Sequence, residues 1–229
     1  MRMKLSFIIP VLNEAENIQK ILLPLLFYRH QGHEVILVDG GSTDNTIAQA
    51  ESMVDMVIKS PAGRARQMNA GAKLATGDVL VFLHADTWLP DFAADLITSA
   101  LSGSKRVWGR FDVTLSGSGW IYRLISTMIN HRSSLSGIAT GDQCIFIQHN
   151  IFAKISGYAD IPLMEDIEIS KRLKQLSRPV RIKSRAVTSS RRWEHDGVFR
   201  TILLMWYLRA SYYFGQPADK LVSKYYRRA

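Results

Sequence analysis

Residues 34–46 read EVILVDGGSTDNT: a Val-Ile-Leu-Val run closed by Asp39, two glycines, and a polar stretch that opens a helix from about Thr43. A continuous apolar run without polar alternation suits a strand covered on both faces, as in a parallel sheet. Working outward, the same order recurs. LSFIIP (5–10) precedes a helix from about Glu16, MVIK (56–59) a helix over 64–75, and DVLVFL (78–83) a helix over 91–101. Strands alternating with helices predict right-handed βαβ units. Pro24 falls inside the first helical pattern and predicts a kink or an early end there. After Ser104 two longer extended pieces are expected, VWGRFDVTL (107–115) and DQCIFIQ (142–148), with one covering helix within 119–137. The expected class is α/β: a Rossmann-like, mostly parallel central sheet with helices on both faces, in a single domain that continues into a helical, basic C-terminal extension.

The 229 residues are 47% hydrophobic, which supports a sizeable core and excludes a disordered tail or a disulfide-stapled mini-protein. Cys144 is the only cysteine, so neither an internal disulfide nor a cysteine zinc cluster can form, and a reducing, cytoplasmic setting is expected. The opening MRMKLSFIIPVLNEAEN reads as no signal peptide. The apolar stretches at 121–129 and 201–208 meet Arg123 and Arg209, well short of the roughly 20 residues of a spanning helix, so no bilayer crossing is expected. Net charge is +9, but residues 1–170 carry −3 and residues 171–229 carry +12. Such asymmetry fits an anionic partner or a solvated positive face. No helix-turn-helix, RNA-recognition or zinc-finger signature is readable, and nucleic acid is not an expected partner.

In an open parallel sheet, ligands collect beyond the carboxyl ends of the strands. Three strands here deliver polar groups to that rim: Pro10, Asn13 and Glu14 after the first, Asp39 and Gly40 after the second, and His84 and Asp86 after 78–83. Each could be an ordinary turn or helix cap; together they suggest one shared site. Asp39 beside two glycines can accept hydrogen bonds from a base or ribose. No G-x-G-x-x-G or P-loop pattern is present, so hydride transfer and ATP hydrolysis lack their usual support. Arg64 and Arg66 open a helix, an arrangement suited to a diphosphate or to an exposed first turn. Asp86 at the mouth of a buried strand suits a divalent cation completed by diphosphate oxygens and water, with His84 a ligand or a supporting hydrogen bonder. Glu165 and Asp166 are adjacent carboxylates at a helix start, favoured there by the dipole, and a like neighbour can raise one pKa toward that of a general base.

This constellation resembles the family 2 glycosyltransferases with the GT-A type of fold, most closely a compact bacterial subgroup of small soluble members. The pieces that carry the resemblance are FIIPVLNEAENI (7–18), VDGGSTDNT (38–46), GRARQMNAGAKLATGDVLVFLHADT (63–87) and MEDIEISKRL (164–173), within a span from about Ser6 to Trp193. The resemblance implies a GT-A domain over 1–195, with a nucleotide-binding half at 1–103 and an acceptor-side half at 104–195, followed by the extension 196–229. It implies Pro10, Asn13 and Glu14 beside the nucleobase and ribose, Asp39 on the base, and Arg64 and Arg66 near the diphosphate. His84-Ala85-Asp86 stands at the family's D-x-D motif, with Asp86 the residue for Mn²⁺ or Mg²⁺ and His84 in place of the first aspartate. Glu165-Asp166 matches the E-D motif, with Asp166 the base. Arg191-Arg192-Trp193 is similar to the end of the Q-x-x-R-W motif of processive relatives, although Ser189 holds the glutamine position, so processive synthesis is not implied. His195 stands where some GT-A enzymes bring a histidine to the metal. Asp142, Arg192 and Trp193 are assigned to the acceptor or diphosphate side.

The expected activity is transfer of a sugar from a UDP or GDP sugar to an acceptor hydroxyl with inversion. A sugar-nucleotide-forming nucleotidyltransferase is a rival reading, though its G-G-x-G-x-R-L loop is missing after the first strand; a non-catalytic nucleotide-sugar-binding protein is another. TILLMWYLRASYYFG (201–215), followed by Lys220, Lys224, Arg227 and Arg228, leaves two readings. It could lie on an anionic membrane surface as a peripheral anchor at the inner membrane, or it could pack on the core or on a second subunit of a homodimer.

Overall fold

A computed structural model of the chain describes residues 3–226. Arg227 and Arg228, expected to flank the last helix, lie outside the described residues. In chain order the elements are β1 (Leu5–Val11), α1 (Ile18–Leu22), α2 (Leu25–His30), β2 (Glu34–Asp39), α3 (Thr46–Ala50), β3 (Met56–Lys59), α4 (Arg64–Leu74), β4 (Val79–Phe82), β5 (Thr87–Trp88), α5 (Ala93–Leu101), β6 (Trp108–Leu115), α6 (Trp120–Ser136), β7 (Phe146–Gln148), α7 (His149–Lys154), α8 (Glu165–Leu176), β8 (Val180–Thr188), α9 (Arg191–Asp196), α10 (Val198–Tyr213) and α11 (Ala218–Tyr226). The sheet runs in the order β3-β2-β1-β4-β7-β6-β8-β5. The pairs β3/β2, β2/β1, β1/β4 and β6/β8 are parallel, and β4/β7, β7/β6 and β8/β5 are antiparallel. The expected βαβ frame is therefore present, with an antiparallel insertion where the second half joins.

Alternate side chains of each central strand point to opposite faces, and both faces are covered. Phe7, Ile9, Leu37 and Val81 pack toward Ile18, Leu22, Leu25 and Ile97 of α1, α2 and α5. Ile8, Ile36, Val38, Leu80 and Phe82 pack toward Met68 and Ala72 of α4 and Ile169 and Leu173 of α8. A third, smaller cluster joins Met164 and Ile167 at the start of α8 to Leu208 of α10 and Leu221 of α11. The C-terminal helices thus pack on the domain through one face. Among the described residues no helix is long and apolar enough to cross a membrane.

Several expected boundaries move. The first helix starts at Ile18, not Glu16, and stops at Leu22; Pro24 then opens α2. The helix expected from Thr43 starts at Thr46, because the Asp44 carboxylate accepts the Thr46 amide (3.0 Å) and holds the preceding residues in a turn. The extended piece expected at 142–148 shrinks to Phe146–Gln148, since Thr140 and Gln143 close a reciprocal cap around the short 3-10 turn 141–143. Strand β8 has no clear signal in the sequence: its charged positions, Arg181, Lys183 and Arg185, interrupt every apolar run while Ile182 and Ala186 are buried.

Helix α4 lies against the sheet at Gly71, where an added Cβ would come within 2.6 Å of the Ile8 side chain and 2.9 Å of Val38. Gly71→Val is expected to destabilise the fold by about 2 kcal/mol through overpacking. That corresponds to a thermal midpoint lower by roughly 4–8 °C for a chain of this size, readable by calorimetry; an unchanged midpoint would refute the close packing.

Candidate active site

Two loops build the first part of the rim. Asn13 sits at φ 53° after β1, a conformation asparagine tolerates. Its backbone amide donates to Ser42 Oγ (2.9 Å), and its side-chain Oδ1 accepts the Thr43 amide (2.8 Å). Asp39, buried at the end of β2, accepts the Ser42 amide (2.9 Å). Gln67 of α4, which carries no motif signal in the sequence, donates from Nε2 to the carbonyls of Val11 and Val38, both at 2.8 Å. It ties together the ends of β1 and β2 and packs against Gly40, where a Cβ would meet its amide at 3.1 Å. Pro10, Asn13, Glu14, Asp39 and Gly40 therefore share one corner, stiffened by hydrogen bonds between its own loops.

The second part is a cleft of about 390 Å³ lined by Arg64, His84, Asp86, Asp142, Asp166, Arg192 and Trp193, all expected from the sequence, and by Arg132 and Arg209, which were not. His84 and Asp86 lie just past β4, in a turn closed by the Thr87 amide on the His84 carbonyl (3.1 Å). The Asp86 carbonyl accepts the Ser189 amide (2.9 Å), which fixes this turn to the end of β8. Burial, then the Arg64 guanidinium, push the His84 pKa down to about 3, so the ring is neutral over the physiological range. A Cβ on Gly141 would collide with the His84 ring, so only glycine lets the 141–143 turn lie against it.

Asp166 stands in the first turn of α8 behind Met164, a non-glycine residue held at φ 69°. Its Oδ2 accepts the Gly141 amide (3.1 Å) and its Oδ1 the Ile167 amide (2.7 Å). Burial raises its pKa against the lowering effect of Arg209 and these two amides. Glu165, buried beside it, is pushed up to about 7 by burial and by Asp166. The two titrate as a pair displaced above the usual carboxylate range.

On the basic side, burial, followed by the like charge of Arg209, lowers the Arg132 pKa to about 10, and its Nε has no hydrogen-bond partner. Arg192 stacks on the Tyr225 ring at 3.8 Å and donates to the Tyr225 carbonyl (3.2 Å). Asp142 Oδ1 is buried with no partner. Glu14 joins the two parts of the site: Arg191 Nη2 lies 3.7 Å from its carboxylate, and burial, with a smaller push from Asp86, raises its pKa.

Two expected site residues are elsewhere. The Arg66 side chain is exposed and paired with Asp160 at 2.7 Å, outside the cleft lining, because α4 turns it away from Arg64. His195 is not brought to Asp86: its side chain is 78% exposed on α9, with Nδ1 2.8 Å from Asp196. No group of three or more His, Cys, Asp or Glu able to hold a metal occurs among the described residues. Asp86 and the unpartnered Asp142 oxygen, both in the cleft lining, are nonetheless oxygen donors of the kind a hard divalent cation takes, and a bound diphosphate would supply further ligands.

The chain is 24% identical over 186 residues to the poly-beta-1,6-N-acetyl-D-glucosamine synthase of Staphylococcus aureus, an alignment covering 74% of this chain and 45% of that protein. It thus spans about half the length of such curated relatives. Among solved structures it is similar to Staphylococcus aureus TarS residues 1–349 in complex with UDP, with a TM-score of 0.65, 16% identity, and coverage of 82% of this chain and 60% of that one. It is also similar to the mannosyltransferase PcManGT of Pyrobaculum calidifontis in complex with GDP-Man and Mn2+, with a TM-score of 0.67, 19% identity, and coverage of 99% and 70%. These likenesses are in fold. The sequence model of glycosyl transferase family 2 matches residues 6–156, from the first strand through β7 and α7. With a family match over most of its length and rim carboxylates converging on one cleft, this chain belongs to glycosyl transferase family 2.

Proposed function

We propose that the chain transfers a glycosyl group from a UDP or GDP sugar to an acceptor hydroxyl in one inverting displacement, in the cytoplasm. The carrying observation is that Asp86, past the end of β4, and Asp166, at the head of α8, line the same cleft with Arg64 and Arg192 between strand ends and helices. The corner formed by Asn13, Glu14, Asp39 and Gly40 takes the nucleoside, with the buried Asp39 carboxylate as its acceptor for base hydrogen bonds. Asp86 would hold a divalent cation, Mn²⁺ or Mg²⁺. When bound, that ion neutralises charge on the diphosphate. Arg64 and Arg192 add fixed positive charge where the leaving oxygen becomes negative. Asp166 takes the proton from the attacking hydroxyl, its Gly141 and Ile167 hydrogen bonds fixing the carboxylate's orientation. The attack comes from the face opposite the diphosphate, so one base is enough and no covalent sugar intermediate forms.

A thermal-shift screen of UDP-, GDP-, ADP- and dTDP-sugars with Mn²⁺ or Mg²⁺ tests the donor. One nucleotide with metal at about a hundred times its Kd should add about 2.7 kcal/mol of stability, or roughly 5–10 °C in the midpoint. No shift with any donor would sink the reading.

A further inference from the structure

Helices α6 and α10 carry the same pattern along their cleft-facing sides. Ile125, Ile129 and Arg132 follow one another at i, i+4 and i+7 on α6; Ile202, Met205 and Arg209 do so at i, i+3 and i+7 on α10, and all six line the cleft. Each helix therefore presents apolar side chains and then, toward its C-terminal end, a guanidinium. The cationic end is the end at Asp166: Arg209 and Arg132 both act electrostatically on that carboxylate. Away from Asp166 the apolar surface does not stop at the cleft. Trp120 and Leu124 on α6, and Phe199 (77% exposed) and Leu203 (66%) on α10, continue it one to two turns farther out. Met128 and Trp206 belong both to the cleft and to this exposed surface. Exposed Arg123 and Arg200 flank the stripe.

A contiguous apolar stripe of this kind is unfavourable in water unless something covers it. A polysaccharide acceptor would meet few hydrogen-bonding groups there. The charges point the same way. Four arginines, Arg64, Arg132, Arg192 and Arg209, and three carboxylates, Asp86, Asp142 and Asp166, line the cleft. A divalent cation and the donor diphosphate offset each other, which leaves one positive charge in excess; Arg132 and Arg209 share the single Asp166 carboxylate, and the Arg132 Nε has no hydrogen-bond partner.

Resting on the proposed glycosyl transfer, we propose that the acceptor hydroxyl is carried by an amphiphile, whose phosphate-bearing head lies at Arg132 and Arg209 and whose hydrocarbon tail follows the groove between α6 and α10. On transfer, the head-group oxygen bonds to the anomeric carbon, the bond from that carbon to the donor phosphate oxygen breaks with its electron pair on the nucleoside diphosphate, and the hydroxyl proton passes to Asp166. The exposed stripe and its basic flanks set the mouth of the groove against the anionic surface in which such a lipid resides.

Three probes separate the features, each titrated against tryptophan fluorescence, with Trp193 and Trp206 in the cleft as reporters. Dihexanoylphosphatidylglycerol below its micelle concentration has phosphate, hydroxyl and tail; glycerol 3-phosphate lacks the tail; octyl glucoside lacks the charge. The lipid should bind at least tenfold more tightly than either of the others. Met128→Gln, at a half-exposed position and without added charge, should weaken lipid binding at least tenfold and leave glycerol 3-phosphate binding within twofold. Equal affinity for glycerol 3-phosphate (a free-phosphate site) or for octyl glucoside (a merely apolar groove) would overturn the proposal, as would an unaffected Met128→Gln variant. Nucleotide affinity is measured on the same sample. UDP or GDP binding without lipid preference overturns this inference and leaves the proposed function standing; lipid preference without nucleotide affinity overturns the proposed function and leaves the amphiphile site.

Discussion

Asp166→Asn is expected to lower the transfer rate by roughly a hundredfold to ten-thousandfold at saturating donor, the usual contribution of a positioned general base. That equals about 2.7–5.4 kcal/mol of transition-state stabilisation. Donor affinity should stay within about twofold, because the corner built by Asn13 and Asp39 does not contact Asp166. The replacement keeps shape but not hydrogen bonding: Asp166 accepts from both Gly141 and Ile167, and an amide turns one of those acceptors into a donor. A modest stability loss of about 1 kcal/mol should accompany the rate loss, and calorimetry separates the two. Burial displaces the Asp166 and Glu165 pair upward, Glu165 to about 7. The base works only when ionised, so the wild-type rate should rise with pH through a titration lying above the ordinary carboxylate range. A variant as fast as wild type would remove Asp166 as the base.

Asp86→Ala is expected to act on the other half of the chemistry. Wild-type protein should gain roughly 5–10 °C in melting temperature from Mn²⁺ and its nucleotide together at about a hundred times Kd. The variant should lose most of that gain while keeping the small shift produced by nucleotide alone. Its own melting temperature should change little, since the Asp86 backbone and not its carboxylate carries the bond to Ser189. His195→Ala should leave the metal-dependent shift intact, because that ring points away on α9 toward Asp196. A full metal-dependent shift in Asp86→Ala would show that another residue binds the cation.

Both carboxylates are legible in the amino-acid sequence because each is announced by its immediate neighbours. Asp86 stands three positions past the apolar run 79–83, and Asp166 opens an amphipathic helix whose Ile169 and Leu173 turn to the core. Arg66 shows the limit of such reading. It shares a helix turn with Arg64, and the sequence offers no way to tell which of the two faces the site until Asp160, ninety-four positions away, pairs with it.

The sequence by itself determined the βαβ frame of the first half, the rim onto which its strands open and the three acids, Asp86, Asp142 and Asp166, that end up in the cleft. Apolar periodicity and turn chemistry are properties of neighbouring residues, so they survive without tertiary contacts. Only the folded chain decided that Arg132 and Arg209 stand beside Asp166, that β8 closes the sheet between β6 and β5, and that His195 stays outside the cleft lining. An arginine on an amphipathic helix reads like any solvated charge. What gives it a role is the approach of α6 and α10 to one carboxylate, and that approach is set by packing between segments far apart in the chain.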